Sequence, residues 1–241
     1  RIRCLLCPRR CLIAAGGTGF CGVRSNENGR LVAASWGRVA AVAIDPVEKK
    51  PLYHFHPGTR TLSLGGIGCN LKCRHCQNAS LSRAGIHDTL RELEALSPEE
   101  AVNLALARDC PLLVWTYNEP LINFEYILDT VPLARAAGLK TALVTAGGLS
   151  PEPLRELLPL VDAYRPDIKA FTPGVYERLT GFEFLPAVLE GARIARDAGC
   201  HLEIVTNVIP GWNDDEAQIR DLARFIRNEL GEETPWHVTA Y

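Results

Sequence analysis

The sequence predicts an α/β fold, and three features of its pattern carry that prediction. From residue 61 onward, short runs rich in apolar and β-branched residues alternate with helix-like segments. Ser-Pro-Glu steps mark the expected helix starts, and glycines stand where those helices should end. Strict alternation with buried parallel strands means either a doubly wound sheet or a barrel, and the pattern alone does not separate the two.

Six strands are expected: TLSLGGIG (61–68), PLLVWTY (111–117), LKTALVTA (139–146), AYRPDIKAF (163–171), HLEIVTNVIP (201–210) and WHVTAY (236–241). Between them, Ser97-Pro98-Glu99-Glu100 reads as an N-cap with Pro at the first helical position and acids in the first turn. Ser150-Pro151-Glu152 repeats the device, and Asn213-Asp214-Asp215 opens the last helix. Gly138, Gly199 and Gly231 sit where the helix C-termini are expected. Residues 59–241 form the α/β domain on this reading. Residues 1–58 form a small Cys-rich accessory module, with the stretch AAGGTGFCG and an antiparallel piece around LVAASWGRVAAVAI, and with turn chemistry at Asn28-Gly29.

Bulk composition excludes several function classes. The 241 residues are 47% hydrophobic and 22% charged with a formal net charge of -2, and no apolar run reaches the roughly 18 residues of a membrane-spanning helix. Lys and Arg are dispersed rather than gathered in a stripe, so neither a membrane nor nucleic acid is an expected partner. The N-terminal RIRCLLCPRRC has no signal-peptide core, and a cytoplasmic location is expected. Seven of the nine cysteines fall in two tight clusters, which in an intracellular chain favours metal or redox chemistry over disulfides.

One cluster stops at three. In LGGIGCNLKCRHCQNAS (64–80), Cys69, Cys73 and Cys76 follow the first strand of the series, on a loop at its carboxyl end, where α/β folds build their sites. A 4Fe-4S cluster held by protein alone takes a thiolate on each iron. Three ligands leave one iron open for something other than the protein.

The spacing C-x3-C-x2-C resembles the signature of the radical S-adenosylmethionine (radical SAM) superfamily. DPVEKKPLYHFHPGT, WTYNEPLINFEY, DIKAF and VIPGWND extend the likeness along the chain. Together they resemble the AmmeMemoRadiSam system radical SAM enzymes, relatives of the pyruvate formate-lyase activating enzymes. The resemblance implies a partial (β/α)6, TIM-like barrel. It implies a 4Fe-4S cluster on Cys69, Cys73 and Cys76 whose open iron chelates S-adenosyl-L-methionine. Reductive cleavage would then give a 5′-deoxyadenosyl radical that abstracts hydrogen, with electrons from a donor such as flavodoxin or ferredoxin and a protein as a plausible substrate.

The same resemblance places His75 beside the adenine and Asn118 and Glu119 near the methionine amino group. It places Thr145, Asp167 and Lys169 at the cofactor side of their strand ends, Val208 against the adenine, and His237 near the cofactor. His54 and His56 alternate on an extended segment and could ligate a metal, although they read first as residues joining the accessory module to the barrel.

Cys4, Cys7, Cys11 and Cys21 form a set of four, suited to a closed structural zinc site, with a second iron-sulfur cluster as the rival. Two other functions stand beside a radical SAM oxidoreductase. One is a dedicated glycyl-radical enzyme activase; the other is a non-enzymatic zinc-binding scaffold for protein association.

Overall fold

The computed structural model describes residues 1–241. Near the N-terminus, β1 (Ile2–Arg3) and β2 (Leu12–Ile13) pair antiparallel around Cys4, Cys7 and Cys11. A hairpin of β3 (Arg24–Glu27) and β4 (Arg30–Ala33) turns through Asn28-Gly29, both at positive φ, as a two-residue turn requires. After β5 (Arg38–Val39) comes β6 (Ala41–Pro46), which runs antiparallel along the whole of β7 (Arg60–Gly65), from Ala41–Gly65 to Pro46–Arg60. The segment before residue 58 therefore supplies the edge strand of the main sheet.

Next come α1 (Ala79–Arg83), α2 (Ile86–Thr89), β8 (Glu94–Ala95) and α3 (Pro98–Ala107). Ser97 and Glu100 close a reciprocal capping box on α3, as the local sequence foretells. The alternation continues through β9 (Leu112–Trp115), α4 (Phe124–Ala136), β10 (Lys140–Thr145), α5 (Pro151–Leu157) and β11 (Ala163–Pro166). It ends with α6 (Pro173–Thr180), α7 (Leu185–Asp197), β12 (His201–Leu202), β13 (Ile204–Val208), α8 (Glu216–Phe225) and β14 (Trp236–Ala240).

The strand order β12-β11-β10-β9-β7-β6 is parallel except at β6. The fifth expected strand is broken at Glu203: β12 pairs with β11, whereas β13 pairs with β14, and one bridge, Asp167–Val205, carries the curvature across. Neither β14 nor β6 has a partner on its outer side, so the curved sheet is a partial barrel, open between those edges. Its helix-facing side chains, among them Leu62, Leu113, Trp115, Leu143 and Tyr164, join one buried core of 42 residues. At roughly 1.5–3 kcal/mol for each large apolar side chain buried, that core holds the scaffold.

Leu112, Val114, Ala142 and Ala163 face the other way, into the barrel. There Val47, Leu52 and Phe55 of the segment between β6 and β7 pack against them. That segment is a strap across the barrel floor, which leaves the carboxyl ends of the strands for chemistry.

Candidate active site at the carboxyl ends of the strands

The loop after β7 is held in shape before any metal is considered. Asn118, just beyond β9, clamps it: Oδ1 accepts from the Gly66 N–H, and Nδ2 donates to the carbonyls of Ile67 and Gly68, each at 3.0 Å. Gly68 sits at φ +80°, and a Cβ there would lie 2.2 Å from the Cys21 carbonyl oxygen, so the loop needs glycine for two reasons. Downstream, the Lys72 and Arg74 N–H groups donate to Thr180 and Leu179 of α6. The three cysteines thus sit on a loop fastened at both ends.

All three are free thiols, Cys69 buried and the other two half-buried. Cys69 Sγ accepts the Leu71 N–H at 3.4 Å, and Cys76 Sγ lies 3.2 Å from Ser82 Oγ. Burial pushes the Cys69 thiol far above its ordinary range and raises Cys73, against which the charge of Lys169 works. Bare thiolates are thus penalised here, which suits a polynuclear cation that replaces the protons. His75 has a buried Nδ1 without a partner, and its ring meets Tyr241 edge-on at 6.1 Å. Burial, then the charge of Lys169, lowers the His75 pKa to about 4, so the imidazole is neutral near pH 7.

Asp167 and Lys169 come together just beyond β11, with Lys169 Nζ donating to Asp167 Oδ2 at 2.8 Å. Arg165 donates to the other carboxylate oxygen. Against burial, these two cations hold Asp167 well below the usual carboxylate range, and Asp167 holds Lys169 above the usual amine range. Lys169 also lies within electrostatic reach of Cys73, which joins the charged group to the cysteine loop. Arg165 was not singled out from the sequence, although the alternation Arg165, Asp167, Lys169 at the end of β11 was there to find.

Glu119 and Thr145 are turned inward. Glu119 is buried, accepting from Thr145 Oγ1 (2.6 Å), the Leu121 N–H (3.0 Å) and the Ala146 N–H (2.8 Å). It joins the end of β9 to that of β10. Val208 closes β13 at its carboxyl end, half-buried.

His237 lies elsewhere. It is the second residue of β14, four before Tyr241, or roughly 13 Å along a strand. Its Nε2 meets Glu203 Oε2 at 2.5 Å. The structure does not bring it together with the cysteine loop.

Cys4, Cys7, Cys11 and Cys21 line one cavity together with Arg9 and Asn70. Asn70 follows Cys69 directly and lines the same cavity as Cys7. Arg9 Nε donates to the Asn70 carbonyl at 2.5 Å while its guanidinium stacks 3.4 Å over Phe20. The two cysteine clusters are therefore adjacent, a proximity that residues 61 positions apart did not announce.

Residues 64–223 match the model of the Radical SAM superfamily. The chain belongs to that superfamily. This radical SAM chain is 38% identical, over all of its length and 71% of the relative's, to the uncharacterized protein MJ0808 of Methanocaldococcus jannaschii. It is 27% identical over 191 residues to a pyruvate formate-lyase-activating enzyme of Clostridium pasteurianum, covering 75% of this chain and 76% of that one. With an isethionate sulfite-lyase activating enzyme of Desulfovibrio desulfuricans it shares 35% identity over 113 residues, 45% of this chain and 35% of the relative. The fold resembles Streptococcus suis SuiB bound to S-adenosylmethionine, with a TM-score of 0.57 and 15% identity over 73% of this chain and 39% of that one. The match to several relatives thus spans well under two thirds of their length.

Proposed function

We propose that this radical SAM enzyme cleaves S-adenosylmethionine reductively at a 4Fe-4S cluster on Cys69, Cys73 and Cys76, within the AmmeMemoRadiSam group. The observation that carries the reading is a set of three free thiols, and not four, on a loop fastened at both ends beside a compact group of fixed charges. When bound, cluster and cofactor supply a 5′-deoxyadenosyl radical; the chain's own residues bind, orient and exclude water.

Asp167 and Lys169 offer an anion and a cation to the ammonium and carboxylate of the methionine moiety. His75, neutral and with a free Nδ1, flanks the adenine together with Val208. Asn118, Glu119 and Thr145 act indirectly, by holding the loops on which those groups stand. The donor set and burial of Cys4, Cys7, Cys11 and Cys21 suit a second metal centre, zinc or an iron-sulfur cluster.

The substrate we propose is a polypeptide, accepted through the open side of the barrel, with a small redox protein as electron donor. Support comes from relatives named as activating enzymes, and from the likeness to SuiB bound to its precursor peptide SuiA, at a TM-score of 0.58 and 17% identity. A glycyl-radical activase is the specific form those relatives favour, and a stable glycyl signal in a partner would identify it. Anaerobic reconstitution with iron and sulfide followed by dithionite and S-adenosylmethionine tests the chemistry. We expect 5′-deoxyadenosine from the natural chain and none from Cys73→Ala; no product from either would remove the proposal.

A further inference from the structure

On the floor of the barrel, far along β14 from the cysteine loop, two histidines converge on one buried carboxylate. Glu203 stands at the break between β12 and β13, its side chain fully buried. His237 Nε2 from β14 lies 2.5 Å from Glu203 Oε2, and His54 Nδ1 from the strap lies 3.5 Å from the same oxygen. These three ligand atoms all lie within 4.8 Å of one another. The two imidazole rings lie 5.7 Å apart between centroids with 21° between their planes.

We propose that His54, Glu203 and His237 bind a divalent transition-metal ion that cross-braces the open barrel. Two neutral imidazoles and one carboxylate form a borderline donor set, which favours zinc-like ions over magnesium or calcium. A hydrogen-bonded anchor would need no such convergence. Oε2 already accepts the Tyr53 N–H at 3.0 Å, so the two imidazole nitrogens compete for what room remains, and a single cation satisfies both.

The groups around the site are those a metal carboxylate needs. His201 Nε2 and the His54 N–H hold the other oxygen, at 2.9 and 3.0 Å, and fix its orientation. His54 itself is 60% exposed, which leaves a path for the ion and an open face for water. The ligands come from the strap, from the break in the fifth strand and from the last strand, so the ion would tie the strap on the barrel floor to the strands at one side of the opening. This site is independent of the radical chemistry and of both cysteine clusters.

The test uses iron-sulfur-reconstituted full-length protein, dialysed to equilibrium against Co2+ and analysed for metal by mass spectrometry. Beyond any cobalt held through sulfur by the four N-terminal cysteines, the natural chain should retain one cobalt ion whose X-ray absorption shows nitrogen and oxygen neighbours. His54→Ala and His237→Ala should each bind it at least about 10-fold more weakly, a lower bound set by the effect of losing even an outer-shell partner. His56→Ala, altered two residues along the strap, should bind like the natural chain. Retention of no cobalt with nitrogen and oxygen neighbours alone, or unchanged affinity in both ligand variants, would overturn the proposal. Should His237→Ala fail to fold, as a loss of iron would show, the exposed His54 carries the test alone.

Discussion

Lys169 shows how much a single side chain does at the strand ends: it neutralises Asp167, raises the local potential at Cys73 and helps keep His75 uncharged. Lys169→Ala should weaken S-adenosylmethionine binding by about 10-fold or more, the equivalent of one charge-assisted hydrogen bond. Equilibrium dialysis of the reconstituted protein measures this. Asn118→Ala removes the partner of one N–H and two carbonyls, each costly to leave unmet at roughly 1–3 kcal/mol when buried. The expected outcome is faster iron loss and a lower urea midpoint, with residual cofactor cleavage per bound cluster.

The three cysteines were legible in the sequence because they are neighbours in the chain. Arg165 and Glu203 were not singled out, because each looks like an ordinary charge until its strand is placed. His237 shows the opposite case: a sixth-strand histidine suggested the cofactor, and its position at the start of the strand sets it beside Glu203 on the barrel floor.

At the scale of elements, local signals held and distant pairings stayed hidden. Ser97 caps α3 through contacts within three residues, so Ser97→Ala should cost about 1 kcal/mol, read from urea unfolding. Ser150 looked like the same device, yet its hydroxyl donates to the Leu5 carbonyl at 2.9 Å and ties α5 to the N-terminal segment. No local pattern announces a partner 145 residues away. For the same reason β6 read as part of a separate module, although it completes the sheet against β7.

Gly68→Ala tests the joint between the two cysteine regions. The backbone of Cys21 cannot yield as a flexible side chain would, so the loop or the N-terminal segment must shift. We expect lower thermal stability and weaker metal retention at both clusters, read by calorimetry and metal analysis; an unperturbed variant would show that the contact is not tight.

Across the whole molecule, the floor and the open side are stabilised by polar groups that the parallel sheet alone would not need. Asp45 on β6 is buried and accepts from Lys50 (2.6 Å), Lys49 (2.7 Å) and Tyr117 (2.8 Å). Those bonds overcome burial and hold its carboxyl well below the ordinary value, while burial and Asp45 push Tyr117 up to about 12. A depressed carboxyl contributes stability above its unfolded pKa, near 4, and loses it as pH falls toward the folded value. The urea midpoint should therefore drop as pH is lowered from about 5 to 2, and drop less in Asp45→Asn. That variant should be less stable at neutral pH by about 3 kcal/mol, since it strands the buried Lys50.

No helix is long and apolar enough to cross a membrane, and the unpaired β14 and β6 edges leave the barrel accessible from the side. On the proposed function, Cys69, Cys73 and Cys76 leave one corner of an iron-sulfur cube free. Electron paramagnetic resonance of the reduced, reconstituted protein measures this most directly. Adding S-adenosylmethionine should change the 4Fe-4S signal in the natural chain and leave no such signal to change in Cys69→Ala. A signal indifferent to the cofactor, or a lone divalent ion on the three thiolates, would contradict it.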